Sequence, residues 1–486
     1  MQLRAPAADD RRKCTVEHPR LIQGGMGIGV SLWKLARAIS QAGQLGVVSG
    51  SGVENVLARQ LQLGDPDGHL RRALRHFPAP AIAERILDTY LVEGGLSEKE
   101  PFRNPRRFTL DPDPRLVELT VVANFCMVWL AKEKHTGVVG MNLLEKLQLP
   151  LLPALYGALL AGVDYVLMGA GIPTQIPRVL DQLTRHEPSR YDVHVTGAQR
   201  ADDYHASFDP HSILSEPSTL LTRPHFLPII SAASLAQLLM RAGHVDGFVV
   251  EGPTAGGHNA PPRGRMQLTS DGEPIYGKRD EVDLERMRSL GLPFWLAGSY
   301  STPKRMREAL QHGAHGIQVG SIFALSNESE LDPVLKSTAR QLGFKQDLRV
   351  ITDPLASSTG FPFKKAVLSG SLAEPEIYRG RRRLCDLGGL RELFVQDDGT
   401  IGYRCSAEPL EHYCLKGGKS NDAEGRMCLC NALLANIGLA QRRKNGGVEP
   451  PLVTLGSDLG FLTEIMADES SQYTAQQCVD YLLQST

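Results

Sequence analysis

The chain has 486 residues, 42% hydrophobic and 22% charged, the usage of a folded globular protein and not of a disordered or fibrous one. Its 53 Lys and Arg against 54 Asp and Glu leave a net charge of -1, which excludes a bulk field able to hold nucleic acid or an anionic membrane. Forty-eight glycines beside 6% aromatics suit tight turns and small-molecule binding, and the length suffices for one (β/α)8 barrel with insertions.

The opening MQLRAPAADDRRKCTVEHPR is polar and charged, so a tail over 1–19 and a cytoplasmic location are expected. Eight Cys without a secretory signal read as reduced thiols. Eight short apolar runs follow, most ending in Gly or Ser before a helical-period segment: RLIQ to Gln23, LGVVS near Val47, GVVGMN to Asn142, DYVLM to Met168, FLPIIS to Ser231, GFVVEG to Gly252, PFWLAG to Gly298 and GIQVG to Gly320. Helices are predicted at 32–42, 151–161, 176–184, 233–242 and 303–311. The apolar stretch from Leu149 to Pro173 is broken by Pro150, Pro153 and Asp164, which predicts a buried helix and a buried strand and not a membrane span.

Eight βα units predict an α/β fold, a (β/α)8 TIM barrel over 20–52 and 135–350. Residues 53–134 read as a mainly helical insertion beside the barrel mouth, 185–223 as a strand or hairpin excursion, and 351–486 as a C-terminal extension with a Cys-rich segment. The competing fold is an open doubly wound sheet with GGMGIG, 24–29, as a dinucleotide loop. That reading wants an acidic residue at the end of the second strand, and Glu54 comes only after VVSGSG.

Barrel enzymes gather their functional groups at the C-terminal ends of the strands. His258, in VVEGPTAGGHNAPPRG, stands just beyond the sixth, where an imidazole can exchange protons near neutral pH and Gly256 and Gly257 permit close approach. Ala297–Ser299 and Val319–Ser321 follow the last two strands, the usual place for a phosphate held by backbone N–H groups. A loop-capping histidine and ordinary turns are the bland alternatives.

From about Arg20 to Phe363 the sequence resembles the nitronate monooxygenase (2-nitropropane dioxygenase) family of FMN-dependent barrels, related to flavin-dependent enoyl-acyl-carrier-protein reductases. The matching pieces are IQGGMG, GMN, GAGIP, VEGPTAGGH, LAGS and GAHGIQVGSIFALSNES, in that order. The resemblance implies that Gly24, Gly25 and Met26 lie against the flavin, that Gly257, beside the catalytic His258, also binds the cofactor, and that Asn142 and Gln318 hydrogen-bond near it. It implies that Gly298, Ser299, Gly320 and Ser321 hold the FMN phosphate and that His258 is the base or an orienting group. Two departures stand out: Ala260, Pro261 and Pro262 follow the His where another Gly is usual, and Gly298-Ser299 replaces the usual Gly-Gly.

The implied activity is oxidation of alkyl nitronates or nitroalkanes by O2 to a carbonyl compound and nitrite, with no nucleic acid or membrane partner. The alternative is an NAD(P)H-dependent flavin enoyl reductase acting on enoyl thioesters, in which case the helical insertion could dock an acyl carrier protein. A homo-oligomer is compatible with either. Cys385, Cys405, Cys414, Cys428 and Cys430 fall within one segment of the extension; an iron-sulfur cluster or zinc is one reading and buried reduced thiols the other. Cys14, Cys126 and Cys478 read as structural or incidental.

Overall fold

All eight apolar runs are parallel strands: β1 (Leu21–Gln23), β2 (Gly46–Ser49), β3 (Val139–Leu144), β4 (Tyr165–Gly169), β5 (His225–Ile230), β6 (Phe248–Glu251), β7 (Phe294–Ala297) and β8 (Gly316–Val319). The computed structural model describes residues 18–484 apart from 200, 201 and 218; Cys14 and most of the expected tail lie outside the described residues. The strand order is β1-β8-β7-β6-β5-β4-β3-β2, and β1 meets β2 through Ile22 and Leu45. Gln23 N–H donates to Leu45 O at 3.0 Å and Leu45 N–H to Leu21 O at 3.1 Å, which closes the sheet into a TIM barrel. The strands read as continuous apolar runs because they are covered on both faces.

Ile22, Leu45, Val47, Tyr165, Leu167, Leu227, Val249 and Trp295 fill the lumen. Its lower end is stoppered: the Trp295 indole N–H donates to Pro19 O at 2.9 Å, and Tyr165 and Trp295 stand edge-on to His18. Ligand access is therefore from the opposite end, where the strands terminate.

The outer ring consists of α1 (Trp33–Gln41), α2 (Pro114–Lys132), α3 (Leu151–Leu160), α4 (Ile176–Thr184), α5 (Ala233–Ala242), α6 (Leu284–Ser289), α7 (Pro303–Gln311) and α8 (Ala475–Leu483). Two of them modify the expected domain boundaries. The helix α2, assigned by sequence to an insertion, packs between α1 and α3 as a barrel helix, so the true insertion ends before Pro114. Asp113 caps it by accepting from Arg115 N–H at 2.8 Å, with Pro114 at the first helical position. It is long and apolar enough to cross a membrane, but most of it is buried in the ring, as a core helix requires. The helix α8, assigned to the extension, packs against α1 and α7 and completes the ring from the far end of the chain. Cys126 and Cys478 are buried on α2 and α8.

The rest of the chain builds up the mouth. Residues 189–192 and 205–208 form the antiparallel hairpin expected of the excursion. Val195–Thr196 then pairs in parallel with Glu392–Val395, which pairs antiparallel with Ile401–Arg404, so the excursion and the C-terminal extension share a sheet. The insertion joins the same wall: Leu110 N–H donates to the Tyr403 hydroxyl at 2.8 Å and Arg391 Nη2 to Phe108 O at 2.6 Å.

Candidate functional site

The C-terminal ends of the strands open on one cavity of about 560 Å³. Gly24, Gly25 and Met26 reach it from the turn after β1, Asn142 from β3, Gly257 and His258 from the loop after β6, Gly298 and Ser299 from the turn after β7, and Gln318, Gly320 and Ser321 from β8 and its end. All eleven sequence-predicted residues line that single space.

The first turn is held flush. Gly24 N–H donates to Val319 O at 2.9 Å and Met26 N–H to Ser31 Oγ at 2.8 Å. A Cβ on Gly25 would stand 2.3 Å from Cβ of Asn142, so only glycine lets this turn lie against β3. At the cavity wall, Gln318 Oε1 is buried without a hydrogen-bond partner. A buried amide oxygen left unpaired costs about 1–3 kcal/mol, which a donor on a bound molecule removes. A flat heterocycle with amide-like N–H groups, as in FMN, fits this free acceptor and glycine-lined turn.

The turn after β7 is held in an unusual backbone conformation. Gly298 (φ 94°) and Ser299 (φ 59°) are consecutive left-handed residues, and a Cβ on Gly298 would meet Thr254 Oγ1 at 2.9 Å. Ser299 thus occupies, under strain, a conformation that glycine adopts freely. Ser299→Gly is expected to keep or raise thermal stability, whereas Ser299→Val should lose about 1–3 kcal/mol; equal midpoints for the two variants in thermal denaturation would contradict the strain. Ser321 is shared: its Oγ accepts from Gly456 N–H at 2.7 Å, leaving its own O–H to donate.

The partner in that contact belongs to a segment sequence reasoning missed. Residues 454–456 of the extension run between the barrel loops. Gly257 N–H donates to Thr454 Oγ1 at 2.7 Å and Ser457 N–H to Thr254 O at 3.0 Å. Nothing in PLVTLGSD distinguishes it from an ordinary apolar run ending in a turn.

The His258 ring is anchored on one side by Ser357 Oγ, 2.7 Å from Nε2, and that hydroxyl is fixed by Thr359 Oγ1 at 2.8 Å. Phe363 meets it edge-on at 4.9 Å between ring centres. Lys364 N–H donates to Gly257 O and Asn259 N–H to Pro362 O, each at 2.9 Å, so the extension clamps the His loop. Burial pushes the imidazolium down to about 4, so His258 is neutral at physiological pH. Of the two roles the resemblance implies, a neutral ring tied to a serine suits orientation and hydrogen bonding; a group this weakly basic is poorly matched to removing a carbon-bound proton.

Glu251, the last residue of β6, lines the same cavity and was not singled out in the sequence. Its carboxyl has no hydrogen-bond partner among the described residues, and burial raises it to about 8. Glu54, in the first turn of the helix Val53–Gln62, also lines the cavity and is raised by burial to about 7, with Asn55 Nδ2 donating to it at 2.8 Å. The site therefore presents two carboxylic acids that hold protons near neutrality. For Glu251 the folded chain stays protonated where the unfolded chain, with a carboxyl near 4.3, has ionised. Its contribution to stability falls as pH rises between those two values, by up to ~1.4 kcal/mol per unit. Glu251→Gln should thus gain stability over the parent from pH 5 to pH 8, read as thermal midpoints; a pH-independent difference would contradict the assignment.

Among the described residues no group of three or more His, Cys, Asp or Glu is gathered to hold a metal ion. Of the five Cys grouped by sequence, Cys414 stands apart and exposed.

Residues 220–354, from just before β5 to beyond β8, match the family model for nitronate monooxygenase. Over this segment the chain is similar to the nitronate monooxygenase family. The segment holds Glu251, Gly257, His258, Gly298, Ser299, Gln318, Gly320 and Ser321, while Gly24, Gly25, Met26 and Asn142 complete the cavity from outside it. Over 110 residues the chain is 34% identical to a probable nitronate monooxygenase of Bacillus subtilis (strain 168), a match covering 22% of this chain and 30% of that protein. Two solved structures are similar: FabK from Thermotoga maritima, with 16% identity, TM-score 0.48 and coverage of 96% of this chain and 92% of that one, and a nitroalkane oxidase from Streptomyces ansochromogenes, with 15% identity, TM-score 0.40 and coverage of 96% and 94%.

Proposed function

We propose that this chain is an FMN-dependent oxidoreductase whose substrate enters the barrel mouth and reacts beside His258. The observation that carries the reading is the convergence of the glycine turn, the unpartnered Gln318 oxygen and the left-handed Gly298-Ser299 pair on one cavity. Bound there, FMN would supply the redox chemistry. Gly24, Gly25 and Met26 would lie against it, Asn142 and Gln318 would hydrogen-bond it, and the backbone at Gly298, Ser299, Gly320 and Ser321 would take its phosphate. His258 orients the substrate through a hydrogen bond.

The family match favours alkyl nitronates as substrates, oxidised with O2 to a carbonyl compound and nitrite. A neutral His258 suits a nitronate that arrives already deprotonated better than a nitroalkane that still carries its α-proton. A specific observation favours the second reading, reduction of an enoyl thioester with NAD(P)H. That reaction adds a hydride at the β-carbon and a proton at the α-carbon, and Glu251 presents a protonated carboxyl in the same cavity. Nitronate oxidation has no such need of an acid.

Anaerobic stopped-flow absorbance separates the readings. Bleaching of the flavin by an alkyl nitronate but not by NADPH supports the first. Bleaching by NADPH, with colour restored by a crotonyl thioester, supports the second, and an unchanged spectrum with both reagents contradicts an oxidoreductase of either class.

A further inference from the structure

The large cavity continues beyond the strand ends along the wall built by the insertion, the excursion and the extension, and that wall carries cations. Lys146 comes from the loop after β3, and Arg391, with Tyr403 beneath it, from the extension. The acidic side chains lining the same cavity do not answer them. Glu392 is ion-paired with Arg404, Glu54 and Glu251 hold protons near neutrality, and Asp458 follows the 454–456 segment that meets Ser321.

Arg391 is held in a fixed orientation. Its Nε donates to Gly388 O at 3.0 Å and its Nη2 to Phe108 O at 2.6 Å, while the guanidinium lies 4.9 Å from the centre of the Tyr403 ring. These contacts fix the group and supply no counter-charge. Arg381, Arg404 and Arg443 of the same extension are ion-paired with Glu449, Glu392 and Asp386. Arg391 has no carboxylate partner among the described residues, and its Nη1 has no acceptor there. A partly buried guanidinium without a counter-ion is desolvated at a cost that an anion offsets, and its planar fork matches phosphate oxygens.

Lys146 is close at hand. A Cβ on Gly389 would stand 3.5 Å from Cδ2 of Leu147, so the loop after β3 touches the segment that leads to Arg391. The Lys146 Nζ is 4.0 Å from Glu145 Oε2, the outer limit of an ion pair, and the other oxygen of Glu145 accepts from Tyr191 and Gln148. In the closed strand order β3 is separated from β8 by β2 and β1, and from β7 by β4, β5 and β6. This basic corner is therefore across the mouth from the turns that would take the flavin phosphate.

We propose that Arg391, with Lys146 beside it, forms an anion subsite that takes the phosphate of a second, non-flavin reactant: NADPH or the phosphopantetheine arm of a thioester. The identity of that reactant rests on the oxidoreductase reading; the existence of the subsite does not. Leu144, Leu147, Leu390 and Leu393 line the same cavity and suit the neutral part of such a molecule. A small alkyl nitronate has no group to place there, so the subsite narrows the substrate class to larger, phosphate-bearing molecules.

The test is isothermal titration calorimetry on the full-length protein saturated with FMN, comparing phosphopantetheine with pantetheine and NADP+ with nicotinamide riboside. None of these probes reduces the flavin, so the readout is binding alone. At least one phosphate-bearing probe is expected to bind about 10-fold or more tightly than its phosphate-free partner, and the probe that does so identifies the source. Arg391→Gln and Lys146→Gln should each remove most of that preference. Arg185→Gln, which alters an exposed arginine paired with Glu187 outside the cavity, should keep it. The absence of a phosphate preference for either probe in folded wild-type protein overturns the proposal, as does a preference that survives in both Arg391→Gln and Lys146→Gln. If Arg391→Gln does not fold, the wild-type comparison and Lys146→Gln decide. A protein that takes up no FMN refutes the flavin reading separately, and the same titrations on it still uphold or overturn the subsite.

Discussion

His258→Ala is expected to lower kcat/KM by about 10²- to 10³-fold, the cost of losing one positioned hydrogen-bonding group, while the protein stays folded and yellow. The ring lines the cavity, and its Nε2 is held by Ser357, itself fixed by Thr359, so alanine removes a positioned polar group without touching the glycine turn or the turns after β7 and β8. Because burial holds the imidazolium near 4, the acid limb of the pH profile should not fall at the ordinary histidine value near 6.5. A titrating Glu251 would instead place an alkaline limb near 8. If nitroalkane and nitronate are both turned over, the losses in His258→Ala should be similar; a loss confined to the nitroalkane would restore the histidine to the role of base. A limb at 6.5 that disappears in His258→Ala would do the same.

Gly25→Ala is expected to weaken FMN binding by about 10- to 100-fold, the size of a 1.4 to 2.8 kcal/mol overpacking penalty. The added Cβ would lie 2.3 Å from Cβ and 2.8 Å from Nδ2 of Asn142. One residue is anchored by the turn after β1 and the other by β3, so the clash must push either the turn or the Asn142 amide out of place. Gly277→Ala, with open space around the added Cβ, is the control. Fluorescence titration of the flavin-depleted proteins measures both, and equal dissociation constants for the two variants would remove Gly25 from the cofactor surface.

The barrel was legible in the sequence because its strands are short, continuous apolar runs closed by Gly or Ser, and because helices such as 176–184 and 233–242 carry a clean 3.6-residue period. The place of His258 at the cavity was legible for the same reason, because in this architecture a strand end is a place, whereas Gln318 was named only through the resemblance. What escaped depends on contacts distant in sequence. The 19-residue helix α2 lacks a polar face, and only its neighbours α1 and α3 identify it as a ring member. The capping box of Thr474 and Gln477 marks a helix at 475–483, but nothing local tells that it returns to close the ring. Glu251 looked like one more polar residue at a strand end until burial without a partner gave it a proton. Residues 454–456 carry no motif at all, and their role arises from the hydrogen bonds with Gly257 and Ser321. The cysteines gave spacing without pairing, and the fold separates Cys414 from the other four.

The most direct measurement is the flavin content of the purified protein: heat release, chromatographic identification and quantification against protein concentration, in the wild type and in Gly25→Ala. The expected result is about one FMN per wild-type chain and a substantially lower occupancy in the variant. A folded wild-type protein that is colourless and does not bind added FMN would contradict the account at its centre.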